Sequence, residues 1–352
     1  MSELEYQSEI LCNRISKRYK HLKKWANREN ITCFRLYDKD IPEIPLAIDL
    51  YEGCPINSQS LTNLQFPRFL PADCQKFLVF YLYERPYEKD ENEEAKWLRT
   101  ISLDVATTIG ISSENIILKT RKKQKGNSQY QKNDEKNFEK NIIVTEQGQK
   151  FIVNLNSYLD TGLFFDHRPL RAIVRESASE KTVLNLYCYT ASFSVYAATG
   201  KAKSVTSVDL SNTYINWAKK NFALNGFSID QKNEKDENNE EKYKFITADV
   251  LTFLKTDKET YDIIILDPPT FSNSKKTQTD LDINRDWSEL VKLCCARLKN
   301  DGTLYFSTNS HRLKFDTSLL PENFSAVDIS EKTIPEDFRN KKIHRCWKIA
   351  VY

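Results

Sequence analysis

The chain is short of several things. Only 8 of its 352 residues are glycine and 4 are histidine, and no G-x-G-x-x-G run occurs in it. A pyrophosphate needs a close backbone approach that glycine alone permits, so this lack argues against a dinucleotide cofactor. No apolar stretch reaches the roughly 18 residues that would suggest a membrane span. The opening residues, Met1 to Glu9, have neither the basic start nor the apolar centre of a secretory signal. A cytoplasmic protein without a membrane partner is expected. The 8 cysteines are scattered with no C-x-x-C pair, which suggests neither a zinc site nor a disulfide framework. Most should be small buried apolar groups, and no metal is expected. Charge of one sign is also lacking: the net value of +3 does not declare a nucleic-acid partner, so the distribution of charge must be read instead.

What is present is ordinary for a globular protein, 40% hydrophobic and 29% charged, with length enough for two domains. Glu9 to Asn30 reads as an amphipathic helix with a basic outer face. Strands follow at Cys33–Tyr37, Leu46–Tyr51 and Lys76–Tyr83, then a charged loop expected to be mobile at Glu84–Glu93, and a helix at Glu94–Thr108 ended by Gly110. Strands at Asn115–Thr120, Asn141–Glu146 and Lys150–Leu155, the last two a hairpin across Gln147-Gly148, complete an α+β unit over residues 1–156. Lys119, Arg121, Lys122, Lys123, Lys125 and Lys132 fall together with no acid among them, which suits either a phosphate-binding run or a solvated loop. From 157 to 352 the pattern changes. Strand and helix alternate from Thr182, giving a doubly wound α/β sheet with strands at Thr182–Tyr187, Ser204–Leu210, Tyr243–Asp249, Tyr261–Asp267 and Gly302–Asn309. Phe324–Ser330 and Arg345–Tyr352 add two more, one of them antiparallel, and the polar stretch Ser228–Lys242 should be disordered.

Ligands of such sheets sit at the carboxyl ends of the strands. The second strand ends in Asp209, placed to accept from both hydroxyls of a ribose; the third ends in Asp249, whose carboxylate and the following N–H of Val250 suit an adenine edge. Each acid also suits a helix N-cap, but two at successive strand ends favour a nucleoside pocket. A nucleoside cofactor without phosphates fits, and S-adenosylmethionine is one. The fourth strand ends in Asp267-Pro268-Pro269-Thr270, where paired prolines stiffen the turn and remove two N–H donors beside a carboxylate. That group suits a planar nitrogenous target, and Phe271 could stack on it or sit in the core.

Asn185-Leu186-Tyr187-Cys188-Tyr189-Thr190, Val208-Asp209-Leu210-Ser211 and Asp267-Pro268-Pro269-Thr270-Phe271-Ser272-Asn273-Ser274-Lys275 resemble the class I methyltransferases of ribosomal RNA. More closely the chain resembles the RlmK-type guanine-N7 methyltransferases of large-subunit rRNA, often found as the C-terminal half of a fused enzyme. That likeness extends through Leu118-Lys119-Thr120-Arg121, Gln129-Tyr130-Gln131-Lys132, Tyr158-Leu159-Asp160-Thr161-Gly162-Leu163-Phe164 and Cys346-Trp347. It implies a Rossmann-like methyltransferase domain preceded by a smaller RNA-binding domain, with S-adenosylmethionine as cofactor and 23S rRNA as partner. It also implies a cofactor site that includes Thr161, Asp166, Arg168, Asn185, Tyr187, Tyr189 and Thr190 with Asp209, Asp249, Val250 and Asp267. Ala191 stands where the family usually has glycine.

Guanine N7 carries a lone pair and no proton, so it needs no general base; the neighbouring O6 wants a donor, for which Asn273 and Asn309 are candidates. Asp267, Pro268 and Pro269 would hold the target, and Lys119, Arg121, Lys122, Lys123 and Lys125 would bind phosphates. Cytosine-C5 transfer is the nearest alternative, but it needs a thiolate, and the fifth strand ends Ser307-Thr308-Asn309-Ser310 without a cysteine. Transfer to an adenine amino group, or RNA binding without catalysis, are the others.

Overall fold

Ser2 and Glu5 form a reciprocal capping box, so the first helix, α1, runs Glu3–Arg28 rather than starting at Glu9. The structure, a computed structural model, describes residues 1–64, 71–85, 87, 89–121, 139–229, 241–273 and 280–351. Leu11, Ile15, Leu22 and Ala26 face inward along α1, and the bases lie on the other side. The chain continues through β1 (Cys33–Asp38), β2 (Leu46–Pro55), α2 (Ser58–Asn63) and β3 (Gln75–Tyr83). Then come α3 (Glu91–Ile109), β4 (Ile116–Arg121), β5 (Asn141–Glu146) and β6 (Gln149–Asn154). These strands make one sheet in the order β4-β3-β2-β5-β6, with β1 paired to β2. Asp90 caps α3 and left-handed Gly110 ends it. The segment before α3 is anchored: buried Arg85 pairs with Glu94 at 2.8 Å and lies 4.5 Å from the Trp97 ring, so the mobile loop expected over Glu84–Glu93 has at least this fixed point.

One cysteine pair departs from the expectation. β2 and β3 align Gly53 with Gln75, which makes Cys54 and Cys74 cross-strand neighbours, and they are joined as a disulfide. The two lie 20 positions apart in sequence, and only the register of the hairpin brings them together. Cys33, Cys188, Cys294, Cys295 and Cys346 are buried thiols, as anticipated.

The chain forms two compact units, Met1–Phe165 with Glu336–Asn340, and Asp166–Pro335 with Lys341–Tyr352. The short downstream segment is built into the first unit. The Asp337 side chain accepts from the Arg35 N–H at 2.9 Å, its carbonyl accepts from Arg18 at 3.0 Å, and Phe338 lies under the Arg35 guanidinium.

The second unit opens with α4 (Arg168–Ser177), whose Pro169 fits the first helical turn. It proceeds through β7 (Thr182–Leu186), α5 (Ser192–Thr199), β8 (Ser204–Asp209), α6 (Asn212–Leu224), β9 (Tyr243–Thr247) and α7 (Val250–Thr256). The remaining elements are β10 (Tyr261–Leu266), β11 (Phe271–Ser272), β12 (Leu281–Asp282), α8 (Ile283–Cys295), β13 (Leu298–Thr308), β14 (Phe324–Asp328), α9 (Ser330–Thr333) and β15 (Arg345–Val351). Seven strands form a sheet in the order β14-β15-β13-β10-β7-β8-β9, and β15 is the strand that runs antiparallel to its neighbours. Central β10 buries Ile263, Ile264, Ile265 and Leu266, each contributing about 1.5–3 kcal/mol of burial. Leu184, Leu186, Trp287, Leu290, Leu304, Phe306 and Trp347 belong to the core around it. Residues 230–240 of the polar stretch expected to be disordered lie outside the described residues.

Candidate active site

Register decides what meets at the end of this sheet. Leu266 aligns with Leu186, Leu186 with Val208, and Val208 with Ile246. The next residues, Asp267, Tyr187 and Asp209, therefore emerge side by side. With strands about 4.8 Å apart, Asp267 and Asp209 flank the β7 tip at roughly 10 Å from one another.

The β7 tip is a turn under backbone strain. Tyr187, Tyr189 and Ala191 have φ of 54°, 53° and 61°, a left-handed conformation that costs an L-residue about 1–2 kcal/mol. Hydrogen bonds hold it there. Cys188 N–H donates to the Val208 carbonyl at 3.0 Å, Ala191 N–H to the Cys188 carbonyl at 2.7 Å, Tyr189 N–H to Asp209 at 2.9 Å, and the Asn221 amide to the Thr190 carbonyl at 2.9 Å. The backbone takes the path of a glycine-rich turn while carrying aromatic side chains. Asn185, expected at the cofactor, is buried beneath this turn, where its amide donates to Ser194 Oγ at 2.8 Å.

Asp209 accepts from the N–H groups of Tyr189 and Ser211, yet burial pushes its carboxyl up to about 6. The Tyr189 ring packs edge-on to Tyr214 at 4.6 Å. Asp249 caps α7 by accepting from the Thr252 N–H and hydroxyl at 2.9 and 2.8 Å, and Val250 is buried at the first position of that helix. Burial, and then Asp249, raise the phenol of Tyr187 above its ordinary range. Thr161 belongs to the first unit, where its hydroxyl bonds Tyr51 at 2.9 Å.

The β10 tip is stiff for a different reason. Asp267 Oδ1 accepts from Ser307 Oγ at 2.5 Å, and Oδ2 faces His167 Nε2 at 3.4 Å. Pro268 is buried, and the Thr270 carbonyl accepts from the Ile283 N–H at 3.1 Å. Phe271 then projects 51% exposed at the start of the β11–β12 hairpin. Asn273 is half-buried just past β11, Asn309 is exposed just past β13, and Ser274 and Lys275 lie outside the described residues.

His167 is the site residue that sequence reading passed over, although it stands in the Asp-His-Arg-Pro run that opens α4. Asp166 is buried and bonded to His344 Nδ1 at 3.3 Å; burial would raise its carboxyl, but His167, His344 and Arg171 hold it well below the usual range. His344 Nε2 meets Thr333 Oγ1 at 2.8 Å, and the two imidazoles stack at 4.4 Å. Asp166, His167 and His344 bring ligand-type atoms within 4.8 Å of one another, but both nitrogens of His344 are already engaged, so the donor set fits a hydrogen-bonded array better than a metal. Arg168 is buried beside them.

Lys119 and Arg121, which open the basic run of the first unit, are not free surface charges. Lys119 is buried, with Nζ donating to the carbonyls of Tyr158 and Leu159 at 2.6 and 3.1 Å, and desolvation pushes its amine down to about 7. Arg121 pairs with Asp160 at 2.5 Å and lies against the Tyr81 ring. Both therefore hold the 158–160 turn. Lys122, Lys123 and Lys125 lie outside the described residues.

A sheet of this order, with acids at three of four adjacent parallel tips and a strained turn at the fourth, defines a Rossmann-like class I methyltransferase. A family described as S-adenosylmethionine-dependent methyltransferase matches residues 69–326. Ribosomal RNA large subunit methyltransferase K of Neisseria meningitidis serogroup B is 43% identical over 96% of this chain and 86% of its own length. The K/L protein of Magnetococcus marinus is 39% identical over 97% of this chain and 43% of its own length, so the chain spans under half of that relative. Among solved structures, a methyltransferase complexed with S-adenosylhomocysteine (SAH) superposes with a TM-score of 0.67 at 21% identity, over 98% of this chain and 82% of that one. A SAM-dependent methyltransferase from Streptococcus mutans gives 0.66, also at 21%, over 98% and 81%. The chain belongs to the S-adenosylmethionine-dependent methyltransferases, in the family of ribosomal RNA large subunit methyltransferase K. Its cofactor is S-adenosylmethionine.

The donor set suits that cofactor. Carboxylates at Asp209 and Asp249 can accept from ribose hydroxyls and an adenine amine, and the aromatic, glycine-free β7 turn offers no cradle for a phosphate.

Proposed function

We propose that the chain methylates N7 of one guanine in 23S ribosomal RNA. The observation that carries this reading is the Asp267-Pro268-Pro269 tip set beside the β7 turn, with no ionisable thiol to support the cytosine route. Cys346, aligned with Ser307 and close to Asp267, is fully buried, and burial drives its thiol well above the ordinary range. Cys188 behaves the same way. A thiol so placed cannot supply the thiolate that attack on a pyrimidine ring requires. S-adenosylmethionine supplies an electrophilic methyl group. Asp209, Asp249, Val250, Tyr187, Tyr189 and Thr190 would orient the nucleoside and methionine ends, with Asp166, Arg168 and Asn185 supporting. Asp267 would stabilise the positive charge that develops on the purine, and Phe271 would stack on the flipped base. Asn273 or Asn309 would donate to O6.

The test is chemical. Borohydride and aniline cleave RNA at N7-methylguanosine, so 23S rRNA treated with this protein and S-adenosylmethionine should break at one guanine. A methylated product that resists scission, with the label on cytosine or adenine, would overturn the reading.

RNA contact belongs in this reading to the first unit, with Lys122, Lys123 and Lys125 joined by α1. Between Glu9 and Glu29 that helix carries no acid. Lys17, Lys20, Lys24 and Arg28 are exposed on one stripe about 16 Å long, a length that can follow several phosphates. Reversing Lys17, Lys20 and Lys24 to glutamate should weaken RNA binding about tenfold or more and lower the salt slope by about 2–3, with SAH binding intact. Lys119→Met should leave the slope alone. An unchanged slope in the triple variant would remove the stripe from the RNA surface.

A further inference from the structure

A buried polar chain ends on the acid of the double-proline tip. It runs from Thr333 Oγ1 to His344 Nε2 at 2.8 Å, from His344 Nδ1 to Asp166 Oδ2 at 3.3 Å, then to His167 Nε2 at 3.7 Å and on to Asp267 Oδ2 at 3.4 Å. Ser307 holds the other oxygen of Asp267. Thr333, His344, Asp166, His167 and Ser307 are all buried. Nothing in the nucleoside pocket calls for two stacked imidazoles here.

We propose that His167 is a positioning residue for methyl transfer: its imidazole, placed between Asp166 and Asp267, works with Ser307 to fix the Asp267 carboxylate in one orientation without cancelling its charge. The proposal rests on Asp267 being the acid beside the methyl acceptor.

Geometry dictates the charge state. His167 Nδ1 is buried and has no hydrogen-bond partner. An N–H at that atom would be a buried donor left unsatisfied, whereas a bare lone pair there costs less, so the proton belongs on Nε2, between the two carboxylates. A second proton is resisted. The ring sits at the N-cap of α4, where the helix dipole opposes positive charge, and it stacks on His344 near Arg171. Asp267 and Asp166 pull the other way, but desolvation is the largest effect and His167 titrates below its ordinary value. A neutral ring donates to Asp267 and leaves its negative charge available to a substrate that becomes cationic. A protonated ring would neutralise that carboxylate and add a like charge beside the transferring methyl group. The 3.4 Å separation is a reach expected to shorten when the substrate is in place.

Gln at this position keeps a donor and cannot titrate; Leu removes both. At saturating substrate, wild-type kcat should fall on the acid side, below the ordinary histidine range. His167→Gln should keep kcat within a few-fold at pH 8 and shift that acid limb to lower pH, and His167→Leu should lose about 10–100-fold in kcat with the KM for S-adenosylmethionine little changed. Calorimetry with SAH should give near-equal affinities for all three proteins. Imidazole nitrogen NMR of the unmodified protein at pH 7 should show His167 neutral with its proton on Nε2, a readout independent of turnover. An acid limb whose midpoint does not move in His167→Gln, a protonated His167 at pH 7, or SAH affinity falling in step with kcat would each overturn the proposal. The identity of the methylated base comes from RNA scission, so a different target nucleobase would sink the guanine reading and leave these outcomes legible.

Discussion

Two neighbouring strand tips of the second unit reach rigidity by opposite routes. At β10, Pro268 and Pro269 restrict the chain by covalent rings, and the Asp267 carboxylate is held by the Ser307 hydroxyl and faces His167. At β7, the backbone is forced into the left-handed region at Tyr187, Tyr189 and Ala191, and hydrogen bonds from the next strand and from α6 keep it there. The first tip has no strain to relieve, so a change there should act on chemistry. The second stores strain in the cofactor turn, so a change there should act on stability and cofactor affinity together.

The pair Asp267→Asn and Asp209→Asn tests this division most severely. Asp267→Asn should cost about 10²–10³ in kcat while SAH binds within a few-fold of normal. Asp209→Asn should weaken SAH binding about 10–100-fold, because the ribose acceptor is lost, and should change stability in a pH-dependent way, because one of the two oxygens that accept from the Tyr189 and Ser211 N–H groups becomes an NH2 donor. The sign follows from linkage. The folded-state value of about 6 lies above the ordinary carboxylate value of 3.8, so the folded protein binds the proton more tightly, and stability falls as pH rises between the two. The charged carboxylate thus costs about 3 kcal/mol at neutral pH, and in asparagine the relief of that cost offsets the lost acceptor. Wild-type stability relative to the variant should rise as pH is lowered from 7 to 4, measured by chemical denaturation; a flat difference would show that burial is not what perturbs Asp209. The smallest effect should come from Ala191→Gly. Glycine accepts φ near +61° without penalty, so the variant should gain about 1 kcal/mol, or about 2 °C in Tm, and bind SAH slightly more tightly. A loss would mean that the methyl group of Ala191 is needed for packing in the turn.

The sheet of the second unit was legible because buried parallel strands read as apolar runs ending in polar residues, as at Ile263–Leu266 before Asp267. The acids at the tips were legible for the same reason. Other features depended on register or on distance in sequence. The Cys54–Cys74 link follows from how two strands align, which composition does not encode. His167 gains its meaning from His344, 177 positions on, and from Asp267, exactly 100 positions away. Lys119 and Arg121 read as surface charge because they open a basic run, yet alternation along β4 turns Lys119 inward, where carbonyl groups satisfy its ammonium. A charge run is a statement about sequence; exposure is decided strand by strand.

The five residues Glu336–Asn340 give the molecule a property beyond catalysis. The Arg35 amide finds its acceptor in a carboxylate supplied 302 positions downstream, so a fragment ending at Phe165 would leave that amide without its acceptor and the Arg18 guanidinium without one of the carbonyls it bonds. Gene exchange cannot trade the leading module for another at a single crossover point, because part of its interior is written far downstream of Phe165, at Glu336–Asn340. The two units are therefore bound to be inherited together, whatever other sequences become joined on either side.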